Sequence, residues 1–203
     1  MRHKNNHTIT ERKADLKQEI IRIAGVIFDK FGYRKATLND IAEKIEKRKS
    51  AIYYYFGSKE EIFQSVVLQE ARTFRKTIID AINKENNPKD KLKAYIVTRM
   101  KIIDLLGNFN RALEDKRLMH LDFVVRLKKL YDKEEILLFK NILQKGVDEH
   151  YFRIYDIDLA AKAFITALRG MESTILKNKD DADIDKQIDG IIDIIFYGIV
   201  KRE

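Results

Sequence analysis

Positions 47–61 read KRKSAIYYYFGSKEE. Three cations stand in a row, and three phenols follow within a few residues. Neighbours on a helix point about 100° apart, so Tyr53, Tyr54 and Tyr55 cannot share one face. At least one of them packs inward and at least one looks outward, where it needs a chemical reason to be. The cations beside it give one. A basic turn leading into a helix N-terminus attracts anions through its charge, its free N–H groups and the helix dipole.

The charge of the whole chain has the same bias. Net charge is +8 over 203 residues. Residues 1–76 hold 17 Lys and Arg against 10 Asp and Glu, and residues 77–203 are close to neutral. A basic first third joined to a neutral remainder suggests a part that faces nucleic acid and a separate part that faces other partners. Other chemistries lack support. There is no cysteine, hence no thiolate metal site, and the four histidines have no ligand spacing. No nucleophile elbow or Gly-rich phosphate loop occurs, so an enzyme is not indicated. No cofactor or metal is expected. No run approaches the roughly 18 apolar residues of a membrane span, and no apolar leader opens the chain, which points to the cytoplasm.

The elements that must position these residues are helices. Eight glycines and one proline in a chain rich in Lys, Glu, Ile, Leu and Ala indicate an all-α fold. Leu16, Ile20, Ala24, Ile27, Phe28 and Phe31 repeat at three and four, which predicts a helix over 10–31 ended by Gly32. Thr37, with Asp40 three residues on, caps a short helix that carries Leu38, Ile41, Ala42 and Ile45. A second short helix covers 50–55. Ser58 and Glu61 then form a capping box for a helix reaching about 83, and Pro88 opens another that reaches 105 or 106. Further helices are expected near 110–119, 121–149, 158–178 and 184–200. Asp156 or Asp158 caps the one at 158, and 177–183 forms a polar linker.

Two short helices joined by a tight turn behind a long one make a helix-turn-helix unit. The line IFDKFGYRKATLNDIAEKIEKRKSAIYYYFGSKEEIF resembles the DNA-binding domain of the TetR family of one-component bacterial regulators. The matching pieces are Phe31-Gly32-Tyr33, Thr37, Ile41-Ala42, Tyr53 to Phe56 and Ser58-Lys59-Glu60. The resemblance covers residues 10–70, about a third of the chain. It implies a DNA-binding domain over 1–70 and a helical effector-binding and dimerisation domain over 71–203. Tyr53 and Tyr54 resemble the family's pair that reaches phosphate oxygens, contacts that fix register without reading sequence. Lys59 matches a phosphate-binding lysine, and Thr37 both caps its helix and can touch phosphate. Tyr55 and Phe56 pack inward. Base readout falls to Arg48, Lys49, Ser50, Ala51 and Tyr54; Arg48 suits a bidentate guanine contact and Ala51 a thymine methyl.

One departure stands out. Where the family usually has Ala-Gly-Val-Ser, residues 45–48 are Ile-Glu-Lys-Arg. Either Glu46 accepts the left-handed conformation of that glycine or the turn has another shape. In the C-terminal part the resemblance implies a homodimer through the last two helices, supported by the apolar face of Ile188, Ile191, Ile192, Ile195, Phe196 and Ile199. It also implies a pocket for a small-molecule effector. Tyr95, Met100, Phe109, Met119, His120, Phe123 and Phe164 are candidates to line it. The expected function is a ligand-responsive regulator, usually a repressor in this family, acting as a homodimer on a palindromic double-stranded DNA operator. The alternative is a helical protein-interaction module that uses the same basic surface.

Overall fold

The computed structural model describes residues 3–102, 105–175 and 181–197. All regular structure among them is helical, as α1 His3–Lys35, α2 Leu38–Lys44, α3 Lys49–Tyr55, α4 Lys59–Asn83, α5 Pro88–Ile102, α6 Gly107–Glu114, α7 Asp122–Asp148, α8 Ile157–Ile175 and α9 Asp181–Tyr197. A 3₁₀ turn, Lys116–Leu118, lies between α6 and α7.

The capping residues set these boundaries. Asp40 N donates to the Thr37 hydroxyl at 3.3 Å, and Thr37 N donates back to the Asp40 carboxylate at 2.7 Å. The bond from Thr37 N, with a second from the Thr37 hydroxyl at 2.8 Å, holds the Asp40 carboxyl below its ordinary value of 3.8. Glu61 N donates to Ser58 Oγ at 3.1 Å. The Glu61 carboxylate accepts from Gly57 N at 2.7 Å, one residue earlier than a standard capping box. Asn87 caps α5 ahead of Pro88, and Asp156 caps α8 through Leu159 N at 2.9 Å. Helix α1 starts at His3, seven residues before the expected start at residue 10. Gly32 breaks it at φ 75°, and a last turn then reaches Lys35. Phe31, expected in the core, is 48% exposed and lies under the Lys30 ammonium. Part of the expected linker at 177–183 and Ile199 lie outside the described residues.

The chain divides into two compact units. The first comprises Met1–Arg72 and Leu106–Arg126, and the second Thr73–Leu105 and Leu127–Glu203. The core of the first is built from Ile20, Ala24 and Phe28 of α1, Ile41 and Ala42 of α2, Ile52 of α3, and Ile62, Phe63 and Val67 of α4. Phe63 packs edge-on against Phe28 and Phe123, with centroids 5.2 and 5.9 Å away. Helix α6 belongs to this unit because polar side chains tie it to α1 and α4. Phe109 N donates to Glu70 Oε2 at 2.8 Å, and Asn108 Nδ2 donates to Glu70 Oε1 and to Gly25 O. Arg111 donates to Phe28 O and pairs with Asp29. Burial pushes the Glu70 carboxyl up despite these bonds. In the second unit α5 packs on α9, and Tyr95, Phe139 and Phe164 form a chain of ring contacts.

Candidate nucleic-acid interface

Helix α3 is short, and its inward residues hold it in place. Ile52 is fully buried and Phe56 is 2% exposed. Lys49, Ser50, Tyr53 and Tyr54 lie on the opposite side at helical spacing, and all four are exposed. Tyr53 is 55% and Tyr54 65% exposed, which is unusual for rings of that size. Tyr55 is half-buried and packs edge-on against Tyr54, centroids 4.9 Å apart. Arg48 is the N-cap, with its side chain making no capping bond, and Ala51 is half-buried. The turn and helix therefore present three consecutive cations, a hydroxyl and two phenols on one exposed surface.

The turn before Arg48 has a definite form. Glu46 N donates to Glu43 O at 3.1 Å and Lys47 N to Ala42 O at 2.9 Å, the paired bonds of a Schellman cap. Glu46 holds its left-handed position at φ 54°, where glycine is the easy residue. The glutamate thus adopts the glycine conformation, and the turn is not reshaped.

Lys59 lies at the start of α4. Its ammonium donates to Tyr33 O at 2.9 Å, Ala36 O at 3.0 Å and Arg34 O at 3.5 Å, and it sits 4.6 Å from the Tyr33 ring centre. These carbonyls close the broken end of α1, directly before the Thr37 cap. Partial burial lowers the ammonium's pKa from 10.5. Burial, with Glu60 nearby, raises that of the Tyr33 phenol.

The effector-pocket candidates divide between the units. Phe109 and Phe123 are buried in the first unit, and Met119 and His120 are exposed on it. His120 Nδ1 lies 2.8 Å from Arg117 O. Tyr95 and Met100 are buried in the second unit, and Phe164 is half-buried there against Phe139. Sequence reasoning missed the polar cluster beside Tyr95. Arg99, 2% exposed, pairs with Glu135, 5% exposed. Tyr95 and Tyr131 donate their hydroxyls to the same Glu135 oxygen, and Arg169 bridges Glu135 and Asp132. The available signal was the i,i+4 spacing of Tyr95 with Arg99 and of Tyr131 with Glu135.

Residues 20–66 match the family model described as bacterial regulatory proteins, tetR family. Over 197 residues the chain is 25% identical to the probable acrEF/envCD operon repressor of Escherichia coli strain K12, covering 92% of this chain and 88% of that protein. It is 32% identical over 81 residues to IcaR of Staphylococcus aureus strain Newman, a negative transcriptional regulator of the biofilm operon icaADBC, covering 40% and 44% of the two chains. The solved structure of the ketosteroid transcriptional regulator KstR2 of Mycobacterium tuberculosis superposes with a TM-score of 0.68 at 20% identity, over 92% of this chain and 95% of that one. The matched segment spans the whole helix-turn-helix and the start of α4. Residues 20–66 therefore form a TetR-type DNA-binding domain, and the chain is a DNA-binding transcriptional regulator of that type. Among the described residues no helix is long and apolar enough to cross a membrane.

Proposed function

We propose that this regulator is a cytoplasmic homodimer that represses transcription by holding a palindromic operator and releases it when a small effector binds the second unit. The exposed surface formed by Arg48, Lys49, Ser50, Tyr53 and Tyr54, anchored from behind by Ile52 and Phe56, is the observation that carries the reading. In this arrangement Arg48 and Lys49 enter the major groove, Ser50 and Ala51 follow along the same edge, and the two tyrosines and Thr37 hold phosphates. Lys59 organises the interface from behind by fixing the Tyr33–Ala36 carbonyls, because those acceptors occupy its ammonium. Two copies would read half-sites about 34 Å apart.

The proposed dimer contact lies on α8 and α9. Leu159, Ala163, Thr166, Ala167 and Gly170 form an exposed stripe along α8, and Gly190, Ile194 and Tyr197 form one along α9. Leu159 is 65% and Ile194 58% exposed in the single chain, which favours their burial against a second copy. Selection from a random-sequence duplex library tests the function. Enrichment of a two-fold symmetric site with half-sites one turn apart is the expected outcome. Binding without enrichment would leave only a basic surface and would sink the proposal.

A further inference from the structure

The end of α1 carries two cations that the proposed interface does not use, Arg34 and Lys35. Both are exposed, and neither side chain forms a hydrogen bond or ion pair among the described residues. Their backbone is nevertheless held in place. The Lys59 ammonium donates to Tyr33 O, Arg34 O and Ala36 O, and Ala36, 1% exposed, anchors the segment in the core. Lys35 and Thr37 stand on either side of Ala36, and both are exposed. Two cations therefore project from a fixed turn directly before the Thr37 cap.

The neighbouring acids do not neutralise them. Arg34 and Lys35 line a half-open cleft together with three further cations, Lys30, Arg111 and Arg117, and two acids. Asp29 is paired with Arg111 at 3.1 Å and Asp115 with Arg117 at 2.9 Å. In the adjoining cap the Asp40 carboxylate is engaged by the Thr37 N–H and hydroxyl. The charge left over belongs to Lys30, Arg34 and Lys35, and it attracts anions. Arg34 and Lys35 stand on an exposed turn with no enclosing wall for a small ion, so the fitting partner brings a row of charges of its own. A DNA duplex is such a partner, with one negative charge per ~1.7 Å of its axis. The helix-turn-helix continues directly from this turn, since α2 begins at Leu38.

We infer that Arg34 and Lys35 are positioning contacts to the phosphate backbone of bound DNA, and that they extend the DNA-facing surface from α3 through Thr37 to the end of α1. The inference rests on the operator-binding reading above. Such contacts carry no base information. They raise affinity and its salt dependence, and leave sequence preference to the Arg48–Tyr54 surface.

The test titrates the full chain against the selected palindrome and against a scrambled duplex at several salt concentrations. Arg34→Gln combined with Lys35→Gln removes both charges and keeps residues that favour a helix. In a homodimer it removes four cations, so the slope of log affinity against log salt should fall by about 3 to 4. Affinity at physiological salt should drop at least about tenfold on both duplexes, with their ratio unchanged within about threefold. The exchange Arg34→Lys with Lys35→Arg keeps both charges and should keep the wild-type slope. Lys129→Gln with Lys133→Gln makes the same change in net charge on exposed residues of α7, and should leave slope and affinity as they are. An unchanged slope in the Arg34 and Lys35 variant would confine these cations to complementing the α1 dipole and overturn the inference. An equal effect from the α7 pair would also overturn it, since net charge alone would then be the cause. Both results leave operator selection by the wild-type chain intact, whereas a wild-type chain that binds no duplex would sink the operator reading and this inference together.

Discussion

Glu46 occupies a backbone position that costs a side-chain-bearing residue about 1 kcal/mol, and from it the Glu46 and Lys47 N–H groups close α2 on Glu43 O and Ala42 O. Replacing it with glycine should raise stability by about that amount, read as a higher urea midpoint with an unchanged slope. A lower midpoint would mean that the Glu46 side chain makes a compensating contact. The sequence alone already posed this question, because the family's glycine is missing there. Lys59 is the contrasting residue. Its type and position suggest phosphate binding, yet its ammonium is engaged with the Tyr33, Arg34 and Ala36 carbonyls. Lys59→Met should weaken operator binding severalfold while leaving the slope of log affinity against log salt unchanged. A slope reduced by about one would identify a direct phosphate contact and contradict the organising role. Sequence could suggest that Lys59 had a task at the interface. It could not reveal the carbonyls, because they come from a break in α1 that lies 23–26 residues away along the chain.

At the scale of elements, the readable signals were those with local causes. Thr37 with Asp40, Ser58, Asn87 ahead of Pro88, and Asp156 each mark a helix start through bonds within four residues, and the helices begin where these residues place them. The apolar spacing of Ile41, Ile45, Ile52 and Phe56 likewise identified the buried side of the helix-turn-helix. Long-range partnerships were not legible. Nothing in the sequence around Asn108 and Arg111 announces that their acceptors are Gly25 O, Glu70 and Phe28 O, so the grouping of 106–126 with the first unit emerged only from the fold. The Arg99–Glu135 cluster was hidden for the same reason, and it supplies a sharp test. Glu135→Leu leaves Arg99 buried without its carboxylate and should cost about 3–5 kcal/mol in chemical unfolding. The double change Arg99→Leu with Glu135→Leu should recover most of that loss. A single-variant cost under about 1 kcal/mol would show that the pair contributes little to the second unit.

For the whole molecule, the charge split, the exposed α8 and α9 stripes and the TetR-type match of residues 20–66 all fit the proposed arrangement, in which a basic reading unit is duplicated by a contact elsewhere in the chain. If two copies must act together, breaking that contact weakens DNA binding without touching α3. Leu159→Asp combined with Ile194→Asp should shift the protein to monomer in sedimentation, and should cost operator affinity at least about 100-fold through loss of the linked second half-site. A variant that stays dimeric would move the interface away from these helices. The measurement that tests the central claim most directly is the ratio of affinities for the selected palindrome and a scrambled duplex of equal length, taken at physiological salt. A ratio of about 10³ or more is expected of a sequence-specific regulator. A ratio near one, with both affinities falling together as salt rises, would mean that the Arg48–Tyr54 surface holds phosphate without reading sequence, and would contradict the account.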